Sequence, residues 1–561
     1  MVKLLHPFVA ERLAGTVMGI DGVEATVSLP WAGFAPTSLF GRPVLRGEIG
    51  EFLIFARGTT GIFGRITSLE TPRAKRPEAN TGPDARTAVD VVGTVQLLGT
   101  LTLDGTFVRG VARHPRVGDL AYAADEDVVR AVLGDGVSDD ATLDLGVLSG
   151  AQGIPVGVSL GALFGRHLAV VGSTGGGKSW TLAALMERSA ASGVRTLLLD
   201  ATGEFEPLGD LARHLVVSAS EPAYGKQVHL PHRQLSESDR RALLRPSGAS
   251  QLPKMRAAIR SLRLVEVLGS GHSMVTDGLL RKANNPRKPY SDAVFQHASI
   301  VDDPRAEFNL RNLADQIRHE CVYETSQQND SHFGGWAPNE LGYCNTLIGR
   351  VYDLISTPEI MGILDPQPGG AVSSSVLDEI DKWVADDSAE RILRISLADI
   401  TFSHNMREIV VNTIGRHLLS GARRSQFRVR PLVVAIDEAH QFFGQSIADE
   451  LVAASFDSFD LIAKEGRKYG LVVCMATQRP GDLPAAILSQ AGALLVHRLT
   501  ERRDRERVEH AASELTASAT RQLPALMPGE ALLVGSDFAI PVPVHIAAPQ
   551  RKPDSRGPVF G

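Results

Sequence analysis

The sequence predicts an α/β protein built on a parallel sheet, and three observations carry that prediction. Short apolar runs recur at His167–Val171, Thr196–Asp200, Ile392–Leu397, Leu432–Asp437 and Leu471–Thr477. Each has the length and composition of a strand buried on both faces, and most precede a helical pattern. Ahead of these runs the chain alternates apolar and polar residues around frequent glycines, the texture of a small barrel or sandwich. Between about Leu208 and Glu390 it turns polar and helical, which reads as an insertion into the sheet.

Composition sets the outer limits. The chain has 561 residues, enough for roughly three or four domains at ~100–200 residues each. A hydrophobic share of 43% with 22% charged residues excludes a disordered, collagen-like or coiled-coil chain. The cysteines, Cys321, Cys344 and Cys474, are widely spaced and form no C-x-x-C, so neither a disulfide framework nor a zinc ribbon is available. A reducing, cytoplasmic setting fits that usage. The opening residues have no sustained apolar core, and nowhere do ~18 apolar residues run together, so no signal peptide or membrane span is expected. A formal net charge of −6 means that any nucleic-acid surface must be local, as in a pore or a patch.

Taken in order, residues 1–150 read as the β-barrel. Gly15 to Leu29 alternates around Asp21-Gly22, a hairpin signal, and β-rich runs follow at Glu51–Phe55, Gly61–Ile66 and Val91–Leu101. The polar Pro/Gly-rich stretch 70–86 reads as a long mobile loop. Residues 151–208 and 391–548 are the two parts of the α/β core, 209–390 the helical insertion, and 549–561 a tail. Within the insertion, Ser236-Glu-Ser-Asp marks a helix start, and 304–321 reads as helical. No internal repeat is evident.

The first chemical motif is Gly172-Ser173-Thr174-Gly175-Gly176-Gly177-Lys178-Ser179, which fits G-x-x-x-x-G-K-[ST] in spacing. It follows a predicted strand and opens a helix beginning at Trp180, the context the motif requires. Glycines allow successive N–H groups to face a polyphosphate, and the helix N-terminus adds positive potential. Lys178 is suited to the β- and γ-phosphates and Ser179 to Mg²⁺. Gly172 to Trp180 are therefore the expected ATP contacts.

The second motif is an apolar strand ending in Asp437-Glu438-Ala439-His440. Asp437 can join the Mg²⁺ shell, and Glu438 can orient and deprotonate an attacking water. The DEAH string invites a DEAH-box reading. That reading needs a second motor domain with its own motifs, and here one phosphate loop serves one sheet. The next strand carries Thr477-Gln478-Arg479-Pro480, whose Gln478 is placed to sense a γ-phosphate. Arg467 and Arg498 are further candidates, as an arginine lent to a neighbouring site, although each reads more readily as a surface or packing arginine.

Together these stretches resemble the HerA family, within the HerA/FtsK group of ring-forming DNA translocases. The likeness runs from the strand and loop at 165–179, through Asp200-Ala-Thr-Gly-Glu204-Phe, Asp437-Glu-Ala-His, Glu465-Gly-Arg-Lys-Tyr-Gly and Thr477-Gln-Arg-Pro, to a terminal hairpin at 523–535. It spans most of the chain and is weakest from 209 to 390. It implies a RecA-like P-loop ASCE ATPase core that forms a homohexameric ring, with ATP sites between subunits and double-stranded DNA threading the pore. Under it Lys178 and Ser179 bind ATP and Mg²⁺, Asp437 and Glu438 carry hydrolysis, Gln478 senses, and Arg467 acts in trans, with Lys468 and Arg498 competing for that role. Asp200 and Glu204 fall near the site or simply form their turn. The barrel of such proteins docks a separate nuclease, and bacterial relatives sit in anti-phage complexes with nucleases or NAD-consuming effectors. The function expected is an ATP-dependent DNA motor feeding an effector. The alternative is a nucleotide-regulated scaffold that licenses the effector and moves little DNA.

DNA contacts are read only as basic clusters: Arg281-Lys282 with Arg287-Lys288, Arg423-Arg424 with Arg428 and Arg430, and Arg502-Arg503 with Arg505. Each could track phosphate, or be a solvated helix face or subunit contact. No aromatic interleaving points to base stacking, so no sequence-specific recognition is expected.

Overall fold

The computed structural model describes residues 8–32, 37–39, 42–44, 47–71, 91–102, 104–133, 142–150, 153–366, 374–387, 390–449, 452–512, 515 and 517–554. They fall into two units. The first comprises Met1–Gly193 and Cys474–Lys552, and the second Val194–Val473 with Pro553–Gly561. The division falls inside the strand Leu471–Thr477.

The first unit opens with a closed barrel. Its strands run Glu24–Ser28, Leu13–Asp21, Leu120–Ala123, Phe52–Arg57, Thr60–Glu70 and Val92–Thr102, and the last pairs back to the first. Closure removes every free edge, which a sheet this small would otherwise expose. Gly22, at φ +57°, makes the turn of the opening hairpin. Alternation sends Val17, Val27, Leu53, Phe55, Ile66 and Val95 inward as one apolar core. Most of the stretch expected to be a mobile loop lies outside the described residues; Glu70 itself ends the strand Thr60–Glu70.

The same unit holds one flank of the core sheet. Its order is Pro155–Ser159, Thr142–Leu148, Val542–Ile546, Glu530–Gly535, Ala491–Val496, His167–Val171 and then the strand Leu471–Thr477. His167–Val171 runs parallel to both its neighbours, whereas the outer strands are antiparallel. Thr142–Leu148 thus belongs to the core sheet, although it lies within the 150 residues assigned to the barrel. Its partner, Val542–Ile546, is almost four hundred positions away, which local sequence cannot reveal.

The second unit is built on parallel strands in the order Leu432–Ile436, Arg195–Asp200, Ile392–Ser396, Ala212–Val217, Lys226–His229 and Ser374–Ser375. The block 209–390 is therefore not wholly helical: it opens with two strands that extend the sheet. Arg213 and His214 disguise the first of these. His214 is accommodated in the strand because its Nε2 bonds the Gly209 carbonyl oxygen at 2.9 Å. Helices then dominate, among them Gln251–Leu268, Leu313–His319 and Pro338–Ser356. Ser236 and Asp239 form a reciprocal capping box at the start of Glu237–Leu244. Helix is absent from 304–309, where Asn309 instead accepts the Arg311 N–H at 3.0 Å and starts the turn that leads into Leu313–His319. No helix among the described residues is long and apolar enough to cross a membrane.

Candidate active site

In the first unit the loop 172–177 joins the buried strand His167–Val171 to the helix Lys178–Ala191. Gly177 caps that helix at φ +106° and Gly175 sits at φ +74°, conformations that a side chain would strain. Gly172 is required for a different reason. A Cβ there would meet the Cβ of His497 at 2.6 Å. The loop is held at its ends by the Gly172 N–H on the Thr477 carbonyl (3.2 Å) and the Ser173 N–H on the Arg498 carbonyl (2.8 Å).

The N–H groups of Thr174, Gly175, Gly177 and Ser179 take no backbone acceptor of this kind among the described residues. Unpaired donors gathered at a helix N-terminus are the observation that tests for an anion, and they fit a polyphosphate. Lys178 is buried, Ser179 half-buried and Trp180 partly exposed with the Lys552 ammonium 5.4 Å from its ring centroid. Gln478 lies against the loop: the Thr174 hydroxyl donates to its Oε1 at 2.6 Å. Arg498 contributes its carbonyl to Ser173, and its Nε is buried with no hydrogen-bond partner among the described residues.

The second unit carries the acids. Leu432–Ile436 delivers Asp437 and Glu438, both buried, at its C-terminal end. The Asp437 N–H donates to the Leu199 carbonyl at 3.1 Å, and the Thr202 hydroxyl lies 3.4 Å from its carboxylate. Glu438 adopts φ +49°, a left-handed conformation that is uncommon away from glycine, and its Oε2 is 3.3 Å from the His440 Nδ1. Backbone strain of this kind persists only where surrounding structure fixes it, here through the Gln441 N–H on the Glu438 carbonyl at 2.9 Å.

Asp200 is wholly buried and committed to its turn. Its carboxylate accepts the N–H groups of Gly203 (2.8 Å) and Phe205 (3.1 Å) and pairs with Arg394 at 2.7 Å. Arg394 also donates to the Gly203 carbonyl at 3.2 Å. Glu204 contributes its carbonyl to the Asp554 N–H. Of the two readings of Asp200, the turn-forming one describes its bonds. Arg394 and Thr202 escaped the sequence reading. A lone arginine inside Ile392-Leu-Arg-Ile-Ser was the available signal, since a charge in a buried strand demands a counter-charge.

Arg467 and Lys468 stand exposed on the turn Gly466–Tyr469, and Arg467 makes no side-chain hydrogen bond or ion pair among the described residues. The basic clusters differ. Arg281 pairs with Asp277, Lys282 with Glu320, Arg287 with Glu324 and Lys288 with Asp292. Arg423 pairs with Glu465, Arg430 with Asp387 and Arg502 with Glu506, while Arg424 donates to Ser420 and Arg503 and Arg505 to backbone carbonyls.

Residues 143–321 match the family described as helicase HerA, central domain. Across 77% of its length the chain is 23% identical to the probable helicase MJ1565 of Methanocaldococcus jannaschii, covering 71% of that protein. The same share is 23% identical to the DNA double-strand break repair helicase HerA of Saccharolobus solfataricus, covering 73% of it. The chain is similar to the HerA family. The HerA-type chain is thus a P-loop NTPase by its motifs and its sheet. Among solved structures it is similar to VirB4 of Thermoanaerobacter pseudethanolicus, at 14% identity over 74% of this chain and 99% of that one, with a TM-score of 0.44.

Proposed function

We propose that this HerA-like protein hydrolyses ATP with Mg²⁺ and couples turnover to movement of double-stranded DNA, working as a homohexameric ring with a separate nuclease or other effector. The observation that carries the reading is the set of unpaired loop donors at the head of the Lys178 helix, in a chain that also supplies a buried acid pair on a strand end. Lys178 and the loop N–H groups bind the phosphates. Ser179 and Asp437 would hold Mg²⁺, which when bound neutralises charge on the phosphate oxygens. Glu438, oriented by His440, takes the proton of the attacking water, and Gln478 reports on the terminal phosphate. In the resting chain the Thr174 hydroxyl occupies Gln478, so sensing begins with loss of that bond.

Arg467 is the group assigned to act in trans: the resemblance points to it, and its guanidinium, like the Lys468 ammonium beside it, is exposed. Arg467→Ala should bind ATP normally while hydrolysis falls ~10³-fold or more. Mixing it with Lys178→Ala subunits should restore some turnover; no rescue at any ratio would remove the trans role. The effector docks on the N-terminal barrel, and DNA end processing or anti-phage defence is the setting.

One observation favours the scaffold reading: nearly all the basic residues of the three clusters are already paired within the chain, leaving few cations for phosphate tracking. The ATPase rate with and without double-stranded DNA, on protein whose mass is measured in the same run, decides. A hexamer strongly stimulated by DNA supports the motor. A hexamer indifferent to DNA supports the scaffold, and purified protein that degrades DNA alone would count against a separate nuclease.

A further inference from the structure

Behind the phosphate loop stands a histidine that belongs to no motif. His497 follows the strand Ala491–Val496, is completely buried, and donates its N–H to the Val171 carbonyl at 2.8 Å. Its Nδ1 lies 2.8 Å from the Glu530 carbonyl oxygen, and its Nε2 lies 2.9 Å from the Thr181 hydroxyl. A carbonyl oxygen can only accept, so Nδ1 carries the proton and Nε2 accepts from Thr181. Burial pushes the ring down to about 4, against the pull of the Glu530 and Gly176 carbonyls, so the imidazole is neutral at physiological pH.

Both partners matter to the loop. Thr181 sits in the first turn of the helix that Lys178 opens, and its own N–H donates to the Gly177 carbonyl at 2.9 Å. Glu530 begins the terminal hairpin strand Glu530–Gly535. The residue before it, Gly529, directs its N–H at the Gly176 carbonyl, at 3.4 Å. The His497 Cβ also fills the space beside Gly172 and Gly176. A glycine-rich loop has little stiffness of its own, and its grip on an anion depends on donors held at fixed spacing.

We propose that His497 is a positioning residue of the nucleotide site, tying the first turn of the Lys178 helix to the terminal hairpin and so fixing the loop donors in place. This rests on the nucleotide reading above. The test is binding of a fluorescent ATP analogue with Mg²⁺ to the intact protein, with the thermal midpoint measured without nucleotide. Thr181→Val deletes the bond to Nε2 with little change of shape and should weaken binding about tenfold, the size of one well-made hydrogen bond, at an unchanged midpoint. Thr181→Ser should bind like wild type. His497→Asn keeps a donor for Glu530 but cannot reach Thr181, and the double variant should bind no more weakly than either single one.

Wild-type affinity in both Thr181→Val and His497→Asn would overturn the proposal, as would losses that multiply in the double variant. A loss in Thr181→Val that tracks a fallen midpoint and is not restored by serine would overturn it too. Should His497→Asn fail to fold, the valine and serine pair decides alone. Lys178→Ala separates the two claims. Binding that survives this change would sink the nucleotide reading, whereas loss there with normal binding in the Thr181 and His497 variants sinks only the positioning role.

Discussion

The loop half and the acid half of this protein solve opposite electrostatic problems. Around 172–179 the groups proposed to work are backbone donors, and the buried polar group behind them is a neutral imidazole with two hydrogen bonds. Around 437–438 the groups proposed to work are carboxylates, and the turn beside them is held by a buried ion pair, Asp200 with Arg394. A site that must receive a polyanion needs rigidity from its support and gains nothing from a buried charge that must itself be compensated. A cluster of carboxylates already carries excess negative charge, and a further buried acid beside it is compensated by a cation as well as by N–H donors. The two halves should therefore fail differently when their supports are removed.

The largest contrast is functional. Lys178→Ala should abolish nucleotide binding, whereas Glu438→Gln should bind ATP like wild type and lose ~10²–10⁴-fold in turnover. Equal turnover in Glu438→Gln and wild type would remove the base assignment. Next comes the charged support. Arg394→Met should cost about 3–5 kcal/mol in urea unfolding, because it strands a buried carboxylate, and Asp200→Asn in the same chain should recover much of that. A loss below about 1 kcal/mol would mean that Arg394 is not what holds this turn.

The neutral support should reveal itself through pH. His497 is lowered from its ordinary 6.5 to about 4 by burial, so the folded state binds fewer protons than the unfolded state between those values. Its contribution is therefore complete above about pH 6.5 and is lost as pH falls through 4, amounting to about 3 kcal/mol. His214 in the other half is shifted the same way, first by burial and then in part by the charge of Arg394, so acid destabilises both halves. The difference in unfolding free energy between wild type and His497→Asn should be flat above pH 7 and shrink between pH 6.5 and 4. A difference that stayed constant over that range would show the imidazole to be exposed to solvent.

Much of the fold was legible because its signals are local. The apolar runs became strands, the Asp21-Gly22 turn a hairpin, and Ser236 with Asp239 a capping box. The loop could be read because Gly175 and Gly177 are dictated by local backbone conformation and sit in a fixed spacing before Lys178. What escaped depends on distant partners. Asp200 could not be assigned without Arg394, nor His497 without Thr181 and Glu530, and no spacing rule links them. Ala212–Val217 was hidden by Arg213 and His214, whose polar atoms find their acceptors outside the strand. The basic clusters were visible as charge, but their acids lie up to 43 positions away for Arg430 and Asp387.

Those clusters supply the smallest effect, and the place where the two halves should become alike. Arg502 pairs with Glu506 one helical turn away, with its side chain 85% exposed, and Arg423 pairs with Glu465 on the other unit at 54%. Solvent screens both pairs and holding two long side chains together costs entropy, so Arg502→Ala and Arg423→Ala should each leave the unfolding free energy close to that of wild type. Their effect on DNA is the sharper readout. If either arginine leaves its acid to neutralise a phosphate, its removal should lower the slope of log affinity against log salt by about 1. If the intrachain pairs persist on DNA, the slope stays as it is in wild type, and the phosphate-tracking surface must be sought in other cations, such as Arg428, Arg467 and Lys468, whose side chains make no hydrogen bond or ion pair among the described residues.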